Sequence, residues 1–443
     1  MALLEKIERH KSLCIRQIAD CRAEQISFYR FLNNGRVSQK EIIENQLQRY
    51  GLSEQRGHLL CISDTTEISL GSHRGRIKPD GLGCVGRSQG LGFLVHPTLV
   101  VKADGAKIIG YSSIRIWHRD GFKETWKNKK YKSLPVEEKE SYKWVKAAQE
   151  SRTRLPQAEM LTMIGDREAD IYEEFVRVSD ERTHLLIRSC QNRNLADGSK
   201  LFEKLKQAGK VGEYELKIEA DQRVGRNKRA ARLEVRVAEV EIVAPQTYKG
   251  KQKSVKLKAI EAREVGGQVE EQDRICWRLL TTHEVKDFRD AKRLIGYYQN
   301  RWQIEQMFRV LKKQGLQLEA TELESAEAIK KMCLMAIPTA LQIMQLVEER
   351  EDGQRQLEEA FTAEEKECLQ AILPKVEGNT EKQKNPHEAE KLAWGAWIIA
   401  RLGGWSGYKS DRPAGVITMK NGLKKFNQYY QGYRLAKEDV WTR

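Results

Sequence analysis

Three acidic residues, Asp64, Asp166 and Glu305, stand where the chain could use them for metal-dependent chemistry. Asp64 follows the apolar run Leu59-Leu60-Cys61-Ile62-Ser63 and precedes Thr65-Thr66, while Asp166 ends a second run, Met160 to Gly165, and opens Asp166-Arg167-Glu168-Ala169-Asp170. A carboxylate at the end of a buried strand is held rigidly at the edge of a core, where a divalent cation can reach it. Strand-end aspartates also cap turns and helices, so neither decides the matter alone. Glu305 belongs to the pattern Tyr298-x2-Arg301-x3-Glu305-x6-Lys312. At about 100° per residue these four side chains share a stripe roughly 60° wide. Ile304, Met307, Phe308 and Leu311 form the apolar face beside it, which puts the whole stripe at the rim of a core and outside it. A ladder of surface ion pairs would give the same pattern. Taken together, two strand-end aspartates and a helical glutamate are the ligand set for two hard cations, Mg²⁺ or Mn²⁺, serving in-line displacement at a phosphodiester. Arg301 and Lys312 would then hold backbone phosphates by charge-assisted hydrogen bonds.

The elements that must position these groups are legible in the hydrophobic period. The first fifty or so residues carry apolar positions at helical spacing (Leu3, Leu4, Ile7; Phe28, Phe31, Leu32; Ile42, Ile43, Leu47), broken at Asn33-Asn34-Gly35. From His58 the period changes, and Leu59 to Ser63, Phe93 to Val101 and Ile108 to Trp117 read as three strands of a meander. A helix at about 136–154, the strand Met160 to Gly165, a helix from about Asp170 and the strand His184 to Arg188 follow, so a strand-rich start gives way to a mixed α/β sheet. Alternating strands at Tyr214 to Ile218, Leu233 to Val243 and Val255 to Ala262 read as an all-β insertion, after which Ile275 to Thr281 returns to the first unit. One long helix is expected from about Val285 to Gln314. The resulting division is a helical N-terminal region (1–54), a core (55–193 and 274–320), the insertion (194–273) and a helical C-terminal region (321–443).

Composition narrows the partner. The chain has 443 residues, with 78 Lys and Arg against 63 Asp and Glu, a formal charge of +15 that favours a polyanion. Eight cysteines without a Cys-x-x-Cys pair and eight histidines without metal-ligand spacing argue for reduced thiols and against a zinc site. The most apolar stretch, Met332 to Val347, is interrupted by Pro338, Gln342 and Gln345, and no signal peptide is apparent, so a cytoplasmic, nucleoid-associated protein is expected. Basic stretches at Lys123 to Lys132, with interleaved aromatics, and at Arg223 to Arg232 suit DNA contact, or only solvation, while the basic, aromatic span Arg401 to Arg434 suits nucleic-acid stacking or a subunit interface.

The motifs Ser-Asp64-Thr-Thr, Asp166-Arg-Glu-Ala-Asp and Tyr298-x2-Arg301-x3-Glu305-x6-Lys312 closely resemble those of the bacterial insertion-sequence DDE transposases of the Y-R-E-K (insertion sequence four) family, from about Phe28 to the segment starting at Arg401. The resemblance implies a ribonuclease-H-like core with Asp64 on its first strand, Asp166 after its fourth and Glu305 on a late helix, with an all-β insertion before that helix. It further implies cut-and-paste transposition through strand cleavage, hairpin formation and strand transfer. Two Mg²⁺ or Mn²⁺ ions on Asp64, Asp166 and Glu305 would serve the chemistry, with Tyr298, Arg301 and Lys312 on DNA phosphate and a homodimer engaging terminal inverted repeats and target DNA. In such enzymes a tryptophan at the base of the insertion receives a flipped base. Trp277 lies where that residue is expected, although an ordinary core tryptophan between Ile275 and Leu279 would look the same. The family's N-terminal end-recognition domain is expected to be shorter here by roughly thirty residues. Two rivals stay open, a nuclease on the same core and a non-catalytic DNA-binding protein derived from a transposase.

Overall fold

The computed structural model describes residues 2–86, 90–119, 134–218, 228–266, 270–350, 353–408 and 411–441. The basic stretch Lys123 to Lys132 and the turn at Val224 to Asn227 lie outside them.

Eleven strands among the described residues form one mixed sheet. They are β1 (His58–Ser63), β2 (Thr66–Ser69), β3 (Gly83–Val85), β4 (Gly90–Lys102), β5 (Ile108–Trp117), β6 (Met160–Gly165), β7 (Thr183–Arg188), β8 (Lys210–Ile218), β9 (Arg229–Val243), β10 (Ser254–Glu264) and β11 (Cys276–Thr281). At its centre the order is β5-β4-β1-β6-β7. The pairs β1–β4 and β4–β5 are antiparallel, whereas β1–β6 and β6–β7 are parallel. Three antiparallel strands followed by two parallel ones make a ribonuclease-H-like sheet. β11 adds antiparallel to β7, and β10, β9 and β8 carry the same sheet outward, so the strands of residues 210–264 continue it. That segment is preceded by a short helix, Leu201–Gln207, which strand alternation alone does not reveal.

β1 is buried on both faces, which is why it reads as a continuous apolar run. Leu60 and Ile62 point into one core with Ile164 and Leu186; Leu59 and Cys61 point into the other with Leu161, Met163, Leu185 and Ile187. The second face is covered by α4 (Tyr142–Arg154) through Trp144, Val145 and Ala148, and by α5 (Tyr172–Arg177) through Tyr172 and Phe175. Against the first lie α6 (Phe288–Gln299), α7 (Trp302–Arg309) and the 24-residue α8 (Ala326–Glu349). Helices also open the chain, α1 (Ala2–His10), α2 (Arg22–Asn33) and α3 (Gln39–Gln48), and α1, α2 and α3 pack on α8. Three more, α9 (Ala363–Val376), α10 (Leu392–Leu402) and α11 (Val416–Trp441), end it. Among the described residues no helix is long and apolar enough to cross a membrane.

The single helix expected over 285–314 is three pieces. α6 is capped by the Asp287 side chain, which accepts from the Asp290 N–H, and ends at Gln299. Around Asn300 and Arg301 the backbone makes i→i−3 bonds (Arg301 to Tyr298, Gln303 to Asn300, Ile304 to Arg301), which wind the chain more tightly than an α-helix. α7 follows, then a π-helical turn at Val310–Gln314 that winds it more loosely. The angular phase assumed from a uniform α-helix therefore fails at both ends of the motif.

Candidate active site

Strand register brings the two aspartates together. Ile62 pairs with Ile164 across the parallel β1–β6 ladder, so Asp64 and Asp166, two residues on, stand side by side just past the two strand ends. Adjacent strands lie about 4.8 Å apart. Residues 60, 62 and 64 share a face, as do 164 and 166, and it is the face covered by α7. Along β4 the β1 and β2 pairings keep one register, Ser63 on Thr98 and Thr66 on Val95, and the ladder lapses at Asp64 and Thr65 opposite Pro97 and His96. Proline has no N–H to offer, which suits a break there. The Thr65 N–H donates to Asp64 Oδ1 at 2.7 Å, and Thr65 Oγ1 meets the buried His96 Nδ1 at 3.0 Å. After β6 the backbone turns sharply into a 3₁₀ turn, with Asp166 accepting from the Glu168 N–H at 2.8 Å. A Cβ on Gly165 would come within 2.4 Å of Ala169 Cβ, so the turn needs glycine.

The helical half arrives through Arg301. Its Nη1 donates to Asp64 Oδ2 at 3.0 Å and its Nη2 donates to Glu305 Oε1. The guanidinium thus lies between two of the three carboxylates, in an environment where the Arg301 and Asp64 side chains are only 15% and 16% exposed. Burial and the neighbouring Asp166 charge push the Asp64 carboxyl up to about 7, against the pull of Arg301. Burial likewise raises Asp166, opposed by its backbone hydrogen bond from Glu168. Two carboxyls held above their ordinary range, chiefly by burial, at the end of a sheet are a common signature of functional sites.

Lys312, on the π-helical turn, donates to Thr66 Oγ1, two residues beyond Asp64, at 2.9 Å and lies 3.9 Å from Glu319. Ile304, Met307, Phe308 and Leu311 are buried as the spacing requires. Tyr298 departs from expectation. Placed with the stripe outside the core, it is in fact 4% exposed and part of the core. The reason is the tight turn after it, which puts Tyr298 on the buried face of α6 with Ala291, Leu294 and Ile295, while Arg301 swings to the rim. Its hydroxyl has no hydrogen-bond partner among the described residues, and the Arg301 guanidinium carbon lies 5.9 Å from its ring centroid. Trp277, half-buried on β11, packs edge-on against Tyr298 with centroids 6.3 Å apart. The seven residues singled out by sequence thus gather at one end of the sheet.

One neighbour escaped the sequence reading. Gly165 pairs with Ile187, so the same register that aligns Asp64 with Asp166 continues to Arg188 at the end of β7. Arg188 also donates to the Cys276 carbonyl at 3.3 Å, beside Trp277. A third apolar run ending in a charged residue was the available signal, and only the strand order makes the three ends a row.

Divalent cations fit the donor set, since hard carboxylate oxygens are what Mg²⁺ and Mn²⁺ prefer. Among the described residues no three potential ligands are yet gathered about one point; the Arg301 side chain stands between Asp64 and Glu305.

Two comparisons bear on this arrangement. A cryo-EM structure of a piggyBac transposase synaptic complex with hairpin DNA aligns over 98% of this chain and 71% of that one at 9% identity, with a TM-score of 0.38, too low to bear on function. Residues 145–340 match the family model described as a transposase DDE domain, a span that begins after β1 and so excludes Asp64. The stretch that supplies Asp166, Trp277, Tyr298, Arg301, Glu305 and Lys312 is therefore similar to the DDE domain of transposases.

Proposed function

We propose that this chain is a DNA transposase whose strand-cleaving and strand-joining centre is formed by Asp64, Asp166 and Glu305. The observation that carries the reading is the convergence itself: two aspartates at adjacent strand ends in one register, joined through Arg301 to a glutamate 241 positions beyond the first of them. The similarity of residues 145–340 to a transposase DDE domain supports it, and the charge of +15 suits a nucleic-acid substrate.

In this reading the three carboxylates hold two divalent cations. When bound, these supply an activated hydroxyl and a stabilised departing oxygen for in-line displacement. The protein's own groups do the rest. Asp64 and Asp166, fixed by the Thr65 and Glu168 N–H groups, keep their oxygens aimed to one side of the sheet. Lys312 and Arg188 flank the carboxylates and suit the phosphates on either side of the scissile bond. Trp277, only half-buried, is suited to stack on a base moved out of the duplex, as hairpin formation at a transposon end would demand. Cut-and-paste movement of an insertion sequence by a homodimer holding two terminal repeats is the complete form of the proposal, in which the basic, aromatic segment 401–434 would contribute to dimer or DNA contact.

The test is cleavage of duplex DNA carrying the element's terminal repeat, with Mg²⁺, comparing the unmodified protein with Glu305→Gln on denaturing gels. Metal-dependent nicks and hairpins that vanish in the variant are expected. Cleavage without hairpins or joined products would favour a nuclease, and binding without cleavage a DNA-binding protein alone.

A further inference from the structure

Arg301 faces two demands that exclude each other. The site's carboxylates occupy both arms of its fork, yet a planar guanidinium is also the group best suited to a phosphate of the DNA substrate in the proposed function. Among the described residues the ion pairs of Asp64 and of Glu305 are those with Arg301 alone. Lys143, the next cation inward, is engaged by Glu140 and Glu168. Asp166 makes no ion pair with the guanidinium and feels it, like Lys143, only at longer range, so within contact distance Arg301 alone pairs with the site's carboxylates.

We propose that Arg301 is a latch shared between the carboxylates and DNA: it holds Asp64 and Glu305 while no divalent cation is bound, and must release them before that cation and a DNA phosphate can bind together. The inference rests on the two-cation reading of the site and adds a coupling to it. A dication on the carboxylates outcompetes a single guanidinium for three negative groups, and the freed fork, with its donors unsatisfied in a half-buried setting, then seeks a phosphate. Each ligand thereby prepares the site for the other. By linkage the effect is reciprocal: metal tightens DNA binding by the same factor by which DNA tightens metal binding. Without either, the centre stays closed by its own ion pairs, which weakens the carboxylates' hold on a cation away from DNA.

The experiment is calorimetric titration of Mn²⁺ into the full chain, for the unmodified protein, Arg301→Gln and Arg301→Lys. It is paired with fluorescence anisotropy of a short labelled duplex with and without Ca²⁺, a hard dication that takes the same oxygen ligands. Removing the latch should tighten Mn²⁺ binding to the DNA-free protein by about fivefold to a hundredfold while shrinking the Ca²⁺-dependent gain in DNA affinity. Arg301→Lys, which keeps the charge and loses the fork, should fall between. An arginine that merely braces the site would do the reverse, so Mn²⁺ binding that is unchanged or weakened in Arg301→Gln, with the fold intact by circular dichroism, overturns the latch. Should neither the unmodified protein nor Arg301→Gln bind Mn²⁺, with or without duplex, the two-cation reading itself fails and the latch with it. Weak binding by the unmodified protein that becomes strong in Arg301→Gln upholds both.

Discussion

The central strands carry polar groups at both ends, and the two ends solve the problem of burying them in opposite ways. At the carboxyl ends of β1, β6 and β7 stand Asp64, Asp166 and Arg188, with Arg301 and Glu305 brought over them. At the amino ends, where antiparallel β11 finishes, His58 Nε2 and His283 Nε2 share Thr162 Oγ1 at 2.7 and 2.8 Å, and His184 stacks on His283. His58 is pushed down to about 4 and His283 to about 3, in each case by burial first and by the neighbouring His184 second, which keeps these two imidazoles neutral. Neutral groups that satisfy one another need no ligand. Asp64 and Glu305 share a single guanidinium and Asp166 has no ion pair among the described residues, so the carboxylates are left for something else to complete, and that contrast separates a structural polar cluster from a site.

Breaking one end should therefore abolish chemistry and spare the fold, and breaking the other should do the converse. Glu305→Gln is expected to lower DNA cleavage by on the order of a thousandfold or more, with little change in thermal stability, whereas Thr162→Val should lower stability by about 1 kcal/mol and leave cleavage unaffected. Parallel cleavage assays and thermal melts read both. Next in size, Trp277→Ala should weaken hairpin formation by roughly 1–3 kcal/mol, the value of a stacked base, while nicking persists and Trp277→Phe restores most of the loss.

Acid titration sharpens the comparison because the two ends have opposite signs. Asp64, raised from 3.8 to about 7, binds protons more tightly folded than unfolded, so the stability it contributes is full below about 4 and is lost as pH rises through 7. The histidines, lowered from 6.5, contribute stability that is full above about 6.5 and is lost as pH falls toward 4 and 3. In melts without divalent cations, Asp64→Asn should stabilise the protein increasingly as pH rises from 4 to 7, by about 1–3 kcal/mol at the top. His283→Gln should flatten the decline below 6.5. A shared sign for the two variants would dissolve the distinction drawn between the ends. The smallest effect is expected at Lys312, where Lys312→Ala should reduce the dependence of log binding constant on log salt by about one unit and weaken duplex binding uniformly across sequences.

Much of the site was legible because its backbone signals are local. β5 and β6 fall where their apolar runs end, and Asp64 and Asp166 follow runs of the two-sided burial that only a central strand has. Tyr298 was misplaced because the angular argument assumed uniform winding, and the tight turn at Asn300–Arg301 and the π-helical turn after Arg309 depend on what α6 and α7 pack against. β2 and β3 went unread since they are four and three residues long, too short for any period to show, and exist through pairing with β4. Arg188 was invisible as a site residue for a related reason: its meaning lies in which strands are its neighbours.

By itself, then, the sequence determined which residues are strand ends, which face of the late helices is apolar, and that a carboxylate set with flanking cations is present. Those follow from burial and period, which act over a few residues. Only the tertiary structure decided that Asp64 and Asp166 share a register, that Arg188 extends their row, and that Arg301 rather than open water stands between Asp64 and Glu305. Such facts arise from the pairing of strands about a hundred positions apart and from the docking of a helix against them, where Coulomb energy depends on distances that no run of neighbouring residues encodes.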